Sequence, residues 1–161
     1  MISLVRVDNR LIHGQVVEAW LPHLKVGRVA VADDEAAHNP LIRAAMGLAV
    51  QPSVEVMIHP LRSFNFERIS RDDVKTVVLV RDVKDAVEAK RRGLRMTQLN
   101  LGNVHFATGR KQVSPSVFLS PEEMNQLRLL VAEGVGVDAR GVPSEKPVTF
   151  AEMIERFGKG S

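Results

Sequence analysis

Short aliphatic segments alternate with longer segments of helical character along the chain. Several aliphatic segments are continuous runs of Val, Leu and Ile rather than strict alternations of apolar and polar residues, which is typical of strands covered on both faces. The predicted strands cover residues 2–7, 29–32, 54–58, 74–80, 98–101, 117–119 and 135–137.

Helix-start and helix-stop signals lie between these strands. Asn39 before Pro40 and Asp82 before residue 83 are good N-caps, and Gly93 is a good C-terminal residue. Ser120-Pro121-Glu122-Glu123 has the spacing of a capping box. The predicted helices cover residues 14–21 (ended by Pro22), 40–50, 83–92, 120–133 and 150–157.

Strands that alternate with helices predict βαβ units and hence a parallel sheet. We expect an α/β fold: one domain over residues 1–161, built on an open, mostly parallel, doubly wound sheet with helices on both faces. Residues 158–161 are expected to form a loose tail.

Composition narrows the possible functions. A chain of 161 residues with 45% hydrophobic and 25% charged residues is typical of one globular domain. The 22 basic and 19 acidic residues leave a net charge of only +3, too little to indicate a nucleic-acid partner. The absence of Cys excludes disulfides, thiolate metal sites and cysteine nucleophiles.

No apolar run reaches the ~20 residues of a membrane span, and the first ten residues lack a signal-peptide pattern. We therefore expect a cytoplasmic protein without membrane insertion.

Most chemically capable side chains fall in loops after the predicted strands. In open α/β sheets, ligands bind beyond the carboxyl ends of the strands. These loops are residues 8–13, 33–39, 59–61, 81–82 and 102–110.

The first loop holds the strongest candidates for catalysis. Asp8, Arg10 and His13 lie between a strand and a helix that begins at Gly14 and Gln15. The amides at a helix start bind anions, and a guanidinium fits phosphate oxygens. His13 is therefore a candidate nucleophile oriented by Asp8, with Arg10 and the Gly14 and Gln15 amides binding phosphate. The alternative is that His13 is a polar loop residue and Arg10 a surface ion-pair partner.

The segment Arg6-Val7-Asp8-Asn9-Arg10-Leu11-Ile12-His13-Gly14-Gln15-Val16, with Trp20 four residues later, resembles a known signature. It is similar to that of the enzyme IIB component of the bacterial sugar phosphotransferase system, mannose/fructose/sorbose subfamily. Residues 31–34, 100–105 and 134–143 extend the resemblance along nearly the whole chain.

The resemblance implies a function as well as an open α/β fold. It implies that His13 accepts a phosphoryl group from a phosphohistidine on enzyme IIA, carried by a separate chain. The group then passes to a sugar held by membrane IIC and IID components, which would place the protein at the inner membrane only through its partners. Asp8 and Arg10 match the residues that flank the family's histidine. Three positions depart from the family pattern: Asn9, His38 and Asn103.

Further candidates lie in the other loops. Asp33, Asp34, Asn100, Gly102 and His105 are expected to line the cleft. Asp33 and Asp34 could bind magnesium, but the preferred interpretation is that they begin a helix. No P-loop, zinc motif or dinucleotide loop is present, so we expect no cofactor and no metal.

The sequence thus predicts a phosphotransferase that serves as a phosphocarrier in sugar uptake. Two alternatives remain open: a regulatory phosphorelay protein that serves no transporter, and an anion-binding module that is never covalently phosphorylated. The sugar and the oligomeric state do not follow from the sequence.

Overall fold

The fold is built on a central parallel sheet, as a computed structural model that describes residues 1–160 shows. The strands are β1 (Ile2–Asp8), β2 (Arg28–Ala32), β3 (Glu55–His59), β4 (Thr76–Val80), β5 (Gln98–Asn103), β6 (Lys111–Ser114), β7 (Val117–Leu119), β8 (Gly136–Ala139) and β9 (Val148–Thr149). The helices are α1 (Leu21–Leu24), α2 (Asp34–His38), α3 (Pro40–Ala49), α4 (Phe66–Arg71), α5 (Val83–Arg91), α6 (Pro121–Ala132) and α7 (Phe150–Lys159).

Seven strands form the main sheet in the order β3-β2-β4-β1-β5-β8-β9, and all neighbours are parallel except β8 and β9. The predicted α/β class and mostly parallel sheet are therefore confirmed. The 117–119 strand has the predicted bounds, but it pairs with β6 in a separate antiparallel hairpin. Neither β6 nor the two-residue β9 was predicted, because neither contains an aliphatic run.

Alternate residues of the strands enter two cores, one on each face of the sheet. Val5, Val7 and Val78 belong to the core that α4, α5, α6 and α7 cover. Val29 and Val77 belong to the core on the opposite face, which includes residues of α1, α2 and α3. Helices on both faces are thus confirmed, and this burial explains why the strands are continuously apolar.

The helix after β1 does not end at Pro22, as the sequence predicted. A π-helical segment, Gln15–Trp20, continues directly into α1, which contains Pro22 and ends at Lys25 in the left-handed conformation. The Leu21 amide donates to the Val16 carbonyl, five residues earlier. Pro22 lies in the first turn of α1, directly after the π-helical segment. Its missing N–H therefore removes no α-helical hydrogen bond, and the helix continues through Pro22.

Other differences concern short or terminal elements. The helix α4 and the 3₁₀ turn Leu61–Ser63 were not predicted, because segments of this length contain too few residues to show a helical period. The expected loose tail is wrong for Gly158 and Lys159, since α7 continues through Lys159. Ser161 lies outside the described residues.

Candidate active site

The loop after β1 places His13 at the carboxyl edge of the sheet. β1 lies between β4 and β5, and Asp8 is its last residue. The Leu11 amide donates to the Asp8 carbonyl, and Leu11 adopts a left-handed φ of 59°. A leucine in this region is strained by about 1–2 kcal/mol, and burial of the Leu11 and Ile12 side chains in the core offsets that strain. The loop is therefore held in one conformation.

His13 is oriented by a short contact with a buried carboxylate. Its Nε2 lies 2.7 Å from Oδ2 of Asp8. The His13 side chain is 14% exposed, whereas that of Asp8 is fully buried. When Asp8 is ionised and the imidazole is neutral, this contact requires the ring proton on Nε2. Nδ1 is then the nitrogen with a free lone pair.

The Asp8 carboxylate is held in its ionised form. Burial by itself would raise the pKa of Asp8, but the hydrogen bond with His13, the charge of Arg6 and the hydrogen bond from Asn103 lower it below its usual value. The Arg10 amide also donates to Oδ1 of Asp8 at 3.0 Å. A permanent negative charge therefore lies behind the imidazole.

Arg6 is a functional residue that the sequence reasoning missed. Its buried guanidinium donates to Oδ2 of Asp8 from Nε at 3.1 Å and lies above the Trp20 ring, 5.4 Å from its centroid. Nη1 donates to Asn100 Oδ1 at 2.7 Å. Burial lowers the pKa of Arg6, and the Asp8 carboxylate opposes that shift. A charged residue inside an aliphatic strand was the signal that could have identified it.

Two candidates expected in the cleft lie behind it instead, where they hold Arg6. Asn100 is buried and donates from Nδ2 to the Arg140 carbonyl at 3.3 Å while it accepts from Arg6. A Cβ built at Gly102 would overlap the Arg6 guanidinium. Asn100 and Gly102 therefore affect the position of His13 only through Arg6 and Asp8.

Gln15 joins three groups of the site through one oxygen. Its Oε1 accepts from Nη2 of Arg6 at 3.2 Å, from Nδ2 of Asn103 at 3.0 Å and from Nη2 of Arg10 at 3.4 Å. Asn103 also donates to Oδ2 of Asp8 at 2.9 Å. One of the three departures from the family pattern thus contacts the centre of the site. The Arg10 contact is the longest of the three, and Arg10 is exposed.

The helix start offers open space and unpaired donors beside His13. The first hydrogen bond of the helix joins the Val17 amide to the His13 carbonyl at 3.0 Å. The amides of Gly14, Gln15 and Val16 precede that bond, so they have no helical carbonyl as a partner. Gly14 is exposed with a right-handed φ of −51°, and an added Cβ would meet no atom within 4 Å. An anion has room to approach these amides.

Asp33 and Asp34 have structural partners. Oδ2 of Asp33 accepts from the Ala36 amide at 3.0 Å, and Oδ1 of Asp34 accepts from the Leu61 amide at 2.9 Å. They thus begin α2, as the preferred interpretation predicted. Arg81 binds both oxygens of Asp33 and donates to the Asn9 carbonyl at 3.2 Å, which ties this corner to the loop of His13. The hydrogen bonds with Asp33 raise the pKa of Arg81.

His105 is exposed in the loop after β5, where its carbonyl accepts from Arg110 at 2.9 Å. Across residues 1–160, no three or more His, Asp or Glu side chains are grouped so that they could hold a metal ion. Over the same residues, no helix is both long and apolar enough to cross a bilayer.

Comparisons with known proteins agree on one family. The family model described as PTS system sorbose subfamily IIB component matches residues 2–160. A probable phosphotransferase enzyme IIB component of Streptococcus pyogenes is 30% identical over 164 residues, covering 96% of this chain and 99% of the relative. The N-acetylgalactosamine-specific phosphotransferase enzyme IIB component 1 of Escherichia coli is 28% identical over 151 residues, covering 90% and 93%.

A solved structure has the same architecture. The crystal structure of the IIBSor domain of the sorbose permease from Klebsiella pneumoniae superimposes with a TM-score of 0.86. The two sequences are 27% identical, and the match covers 96% of each chain.

Proposed function

Because this chain belongs to the sorbose subfamily of IIB components of the sugar phosphotransferase system, we propose that Nδ1 of His13 carries the phosphoryl group. In this proposal His13 accepts the group from a phosphohistidine on an enzyme IIA carried by a separate chain. It then passes the group to a sugar held by membrane IIC and IID components. The observation that supports it most directly is the 2.7 Å contact between His13 Nε2 and Asp8, which leaves Nδ1 as the free nitrogen.

The first transfer needs no loss of a proton from His13. The Nδ1 lone pair attacks phosphorus, and the N–P bond of the donor phosphohistidine breaks with its electron pair returning to the donor ring. The His13 ring then bears a developing positive charge, with Nε2–H still donating to Asp8. The buried carboxylate stabilises that charge because few water molecules screen it.

The phosphoryl oxygens bind on the Nδ1 side of the His13 ring, away from Asp8. Arg10 and the amides of Gly14, Gln15 and Val16 supply positive charge and N–H donors to an incoming phosphoryl group. To bind it, the Arg10 guanidinium leaves Oε1 of Gln15, a contact of 3.4 Å that is weak at this length. Arg6 and Asn103 keep Gln15 and Asp8 in place during the exchange.

In this proposal the whole chain, residues 1–161, acts as one IIB-type domain in the cytoplasm and reaches the membrane through its IIC and IID partners. A regulatory relay would use the same chemistry on His13 but would serve no transporter. Genes for IIC and IID components next to the gene for this chain would favour transport over regulation.

The test is intact mass spectrometry of the chain after incubation with phosphorylated IIA. We expect one acid-labile phosphoryl group on the wild-type protein and none on His13→Ala. His23→Ala is the matched control, because it removes an exposed histidine of α1 that contacts no residue of the site, and it should be labelled normally. Labelling of His13→Ala equal to wild type would refute the assignment. Phosphate that binds without a mass increase would instead indicate an anion-binding module.

A further inference from the structure

An exposed aromatic side chain lies on the loop after β5. Phe106 is 65% exposed, and its ring meets that of Phe118 edge-on, with centroids 5.8 Å apart and planes at 83°. Exposed apolar area that is contiguous and rimmed by polar residues marks interaction surfaces, and the two rings form such an area here. Because Phe118 fixes its orientation, Phe106 would lose little conformational freedom when a partner covers it.

Cations surround this ring in a shallow depression. We call the Phe106 patch the set of aromatic and basic residues that line it, namely Phe106, Arg110, Lys111, Phe118, Arg156 and Lys159. No carboxylate lines the depression. Its charge therefore favours an acidic partner surface.

Ion pairs around the depression remove only part of its positive charge. Arg110 pairs with Glu123 at 2.9 Å, Lys159 with Glu155 at 2.8 Å and Arg156 with Glu152 at 3.7 Å. Lys111 lies over the Phe157 ring, 4.9 Å from its centroid, and within residues 1–160 it takes part in no ion pair. Lys111 is thus the cation most available to a carboxylate of a partner.

The patch begins three residues after a residue of the candidate site. Asn103 donates to Asp8 at 2.9 Å, and the α-carbon of Phe106 lies at most about 11 Å from that of Asn103. A standard protein interface covers about 800 Å² on each partner, a disc of roughly 16 Å radius. A phosphoryl group that passes directly between two side chains requires the donor to sit on His13. A donor interface of ordinary size that spreads from His13 over Asn103 toward the loop after β5 would extend to Phe106.

We propose that the Phe106 patch is the docking surface for the phosphoryl-donor protein. The donor contributes an acidic surface with an apolar contact that covers Phe106. This inference rests on the proposed function, because it assumes that the donor delivers its phosphoryl group to His13. In this arrangement Phe106 supplies contact area, Lys111 steers the approach of the donor, and neither residue touches the reacting atoms.

The test compares two phosphoryl donors of different size, phosphorylated IIA and phosphoramidate, with intact mass as the readout. We expect Phe106→Ala and Lys111→Glu each to raise the KM for phosphorylated IIA about tenfold. Labelling by phosphoramidate, which is too small to use a docking surface, should stay within about twofold of wild type. Added salt should slow transfer from IIA to wild type more than to Lys111→Glu.

Matched controls remove similar groups elsewhere. Leu48→Ala truncates an 87% exposed side chain on α3, and Lys75→Glu reverses an exposed charge just before β4, at the amino end of the sheet. Both should leave the KM for IIA unchanged. Phe106→Ala and Lys111→Glu with wild-type KM values, or with both donors impaired, would overturn the docking surface.

The same experiment separates the two proposals. If neither donor labels His13 of the wild-type protein, the proposed function fails, and the docking surface fails with it. If both donors label His13 and the patch variants behave as wild type, only the docking surface fails. Normal transfer from IIA combined with lost transfer to the sugar would assign the patch to the membrane acceptor and also overturn the proposal.

Discussion

The Arg6 guanidinium lies against the α-carbon of Gly102, in the space that a Cβ would occupy there. This neighbour relationship crosses the paired strands β1 and β5, where Arg6 is in register with Asn100. The missing side chain makes room for a cation inside the sheet, and that cation holds Asp8 behind His13. Gly102, two positions after Asn100 on β5, thus supports the Asp8 carboxylate without contacting it.

Gly102→Ala should therefore impair both folding and transfer. The methyl group displaces Arg6 and strains a buried ion pair, so we expect the free energy of unfolding to fall by roughly 2–4 kcal/mol. Denaturant unfolding measures this loss. Gly14→Ala is the control, because its methyl meets open space at a helical φ. It should leave stability unchanged or raise it by up to ~1 kcal/mol. Equal losses for both variants would contradict the role of Gly102.

Arg10 should matter for transfer and not for folding. Its side chain is exposed and has one weak contact, so Arg10→Ala should change the unfolding free energy by less than about 0.5 kcal/mol. Loss of one charged donor to the phosphoryl group should slow labelling of His13 about a hundredfold. Arg10→Lys keeps the charge but loses the fork, so its rate should lie between the two. A wild-type labelling rate in folded Arg10→Ala would show that Arg10 is only a surface residue.

Asp85 should make the protein less stable as the pH rises toward neutrality. Burial, together with the charges of Asp82, Asp33 and Asp34, raises the pKa of Asp85 to about 6 from 3.8. Between these two values the folded state binds a proton at Asp85 that the unfolded chain releases, so the contribution of Asp85 to stability is full below about pH 4 and is lost as the pH rises through 6.

Asp85→Asn removes this loss. Above pH 6 the variant should be more stable than wild type by roughly 1–3 kcal/mol, with no difference near pH 4. Thermal or urea unfolding across this pH range measures the effect, and Asp73→Asn, an exposed aspartate before β4, is the control. A variant with the same pH profile as wild type would mean that Asp85 is not destabilising in its ionised form.

Transfer from phosphorylated IIA should proceed without nucleotide or free metal. The charge that a metal would neutralise can be met by Arg10 and the amides at the helix start. Intact mass measured in excess EDTA without ATP should show normal labelling of His13. A strict requirement for magnesium would reject this mechanism and return Asp33 and Asp34 to consideration as ligands.

Much of the fold follows from local sequence. The aliphatic runs identify every parallel strand, and they are clearest for β4, which is buried at every residue and apolar except for Thr76. Pro22 shows the limit of local rules, since a π-helical turn lets the helix pass a residue that normally ends one. The β6 segment, Lys-Gln-Val-Ser, contains only one apolar residue. It could not be predicted locally, because it forms a strand by pairing with β7, farther along the chain.

The residues of the candidate site also differ in whether the sequence alone could predict them. Asp8, Arg10 and His13 are adjacent in sequence, so their placement on one loop could be predicted. The contacts of Arg6 and Asn103 could not, because they depend on which strands are neighbours in the sheet. The contacts of Gln15 likewise form only in the folded structure, since one of its three donors, Asn103, comes from a distant strand.

The π-helical segment has a consequence for the rotational phase of the helix. Each residue of an α-helix turns the chain by about 100°. The wider π-helical turn between Gln15 and Trp20 therefore changes the direction in which the later residues of the helix point. Gln15 at the start of this segment contacts the guanidinium groups, and Trp20 at its end lies beneath Arg6. An ordinary α-helix over the same residues would place Trp20 about one residue, or ~100°, farther around the axis and turn it away from Arg6. A relative that lacks one residue here could therefore form an ordinary α-helical turn and still present its tryptophan to the arginine.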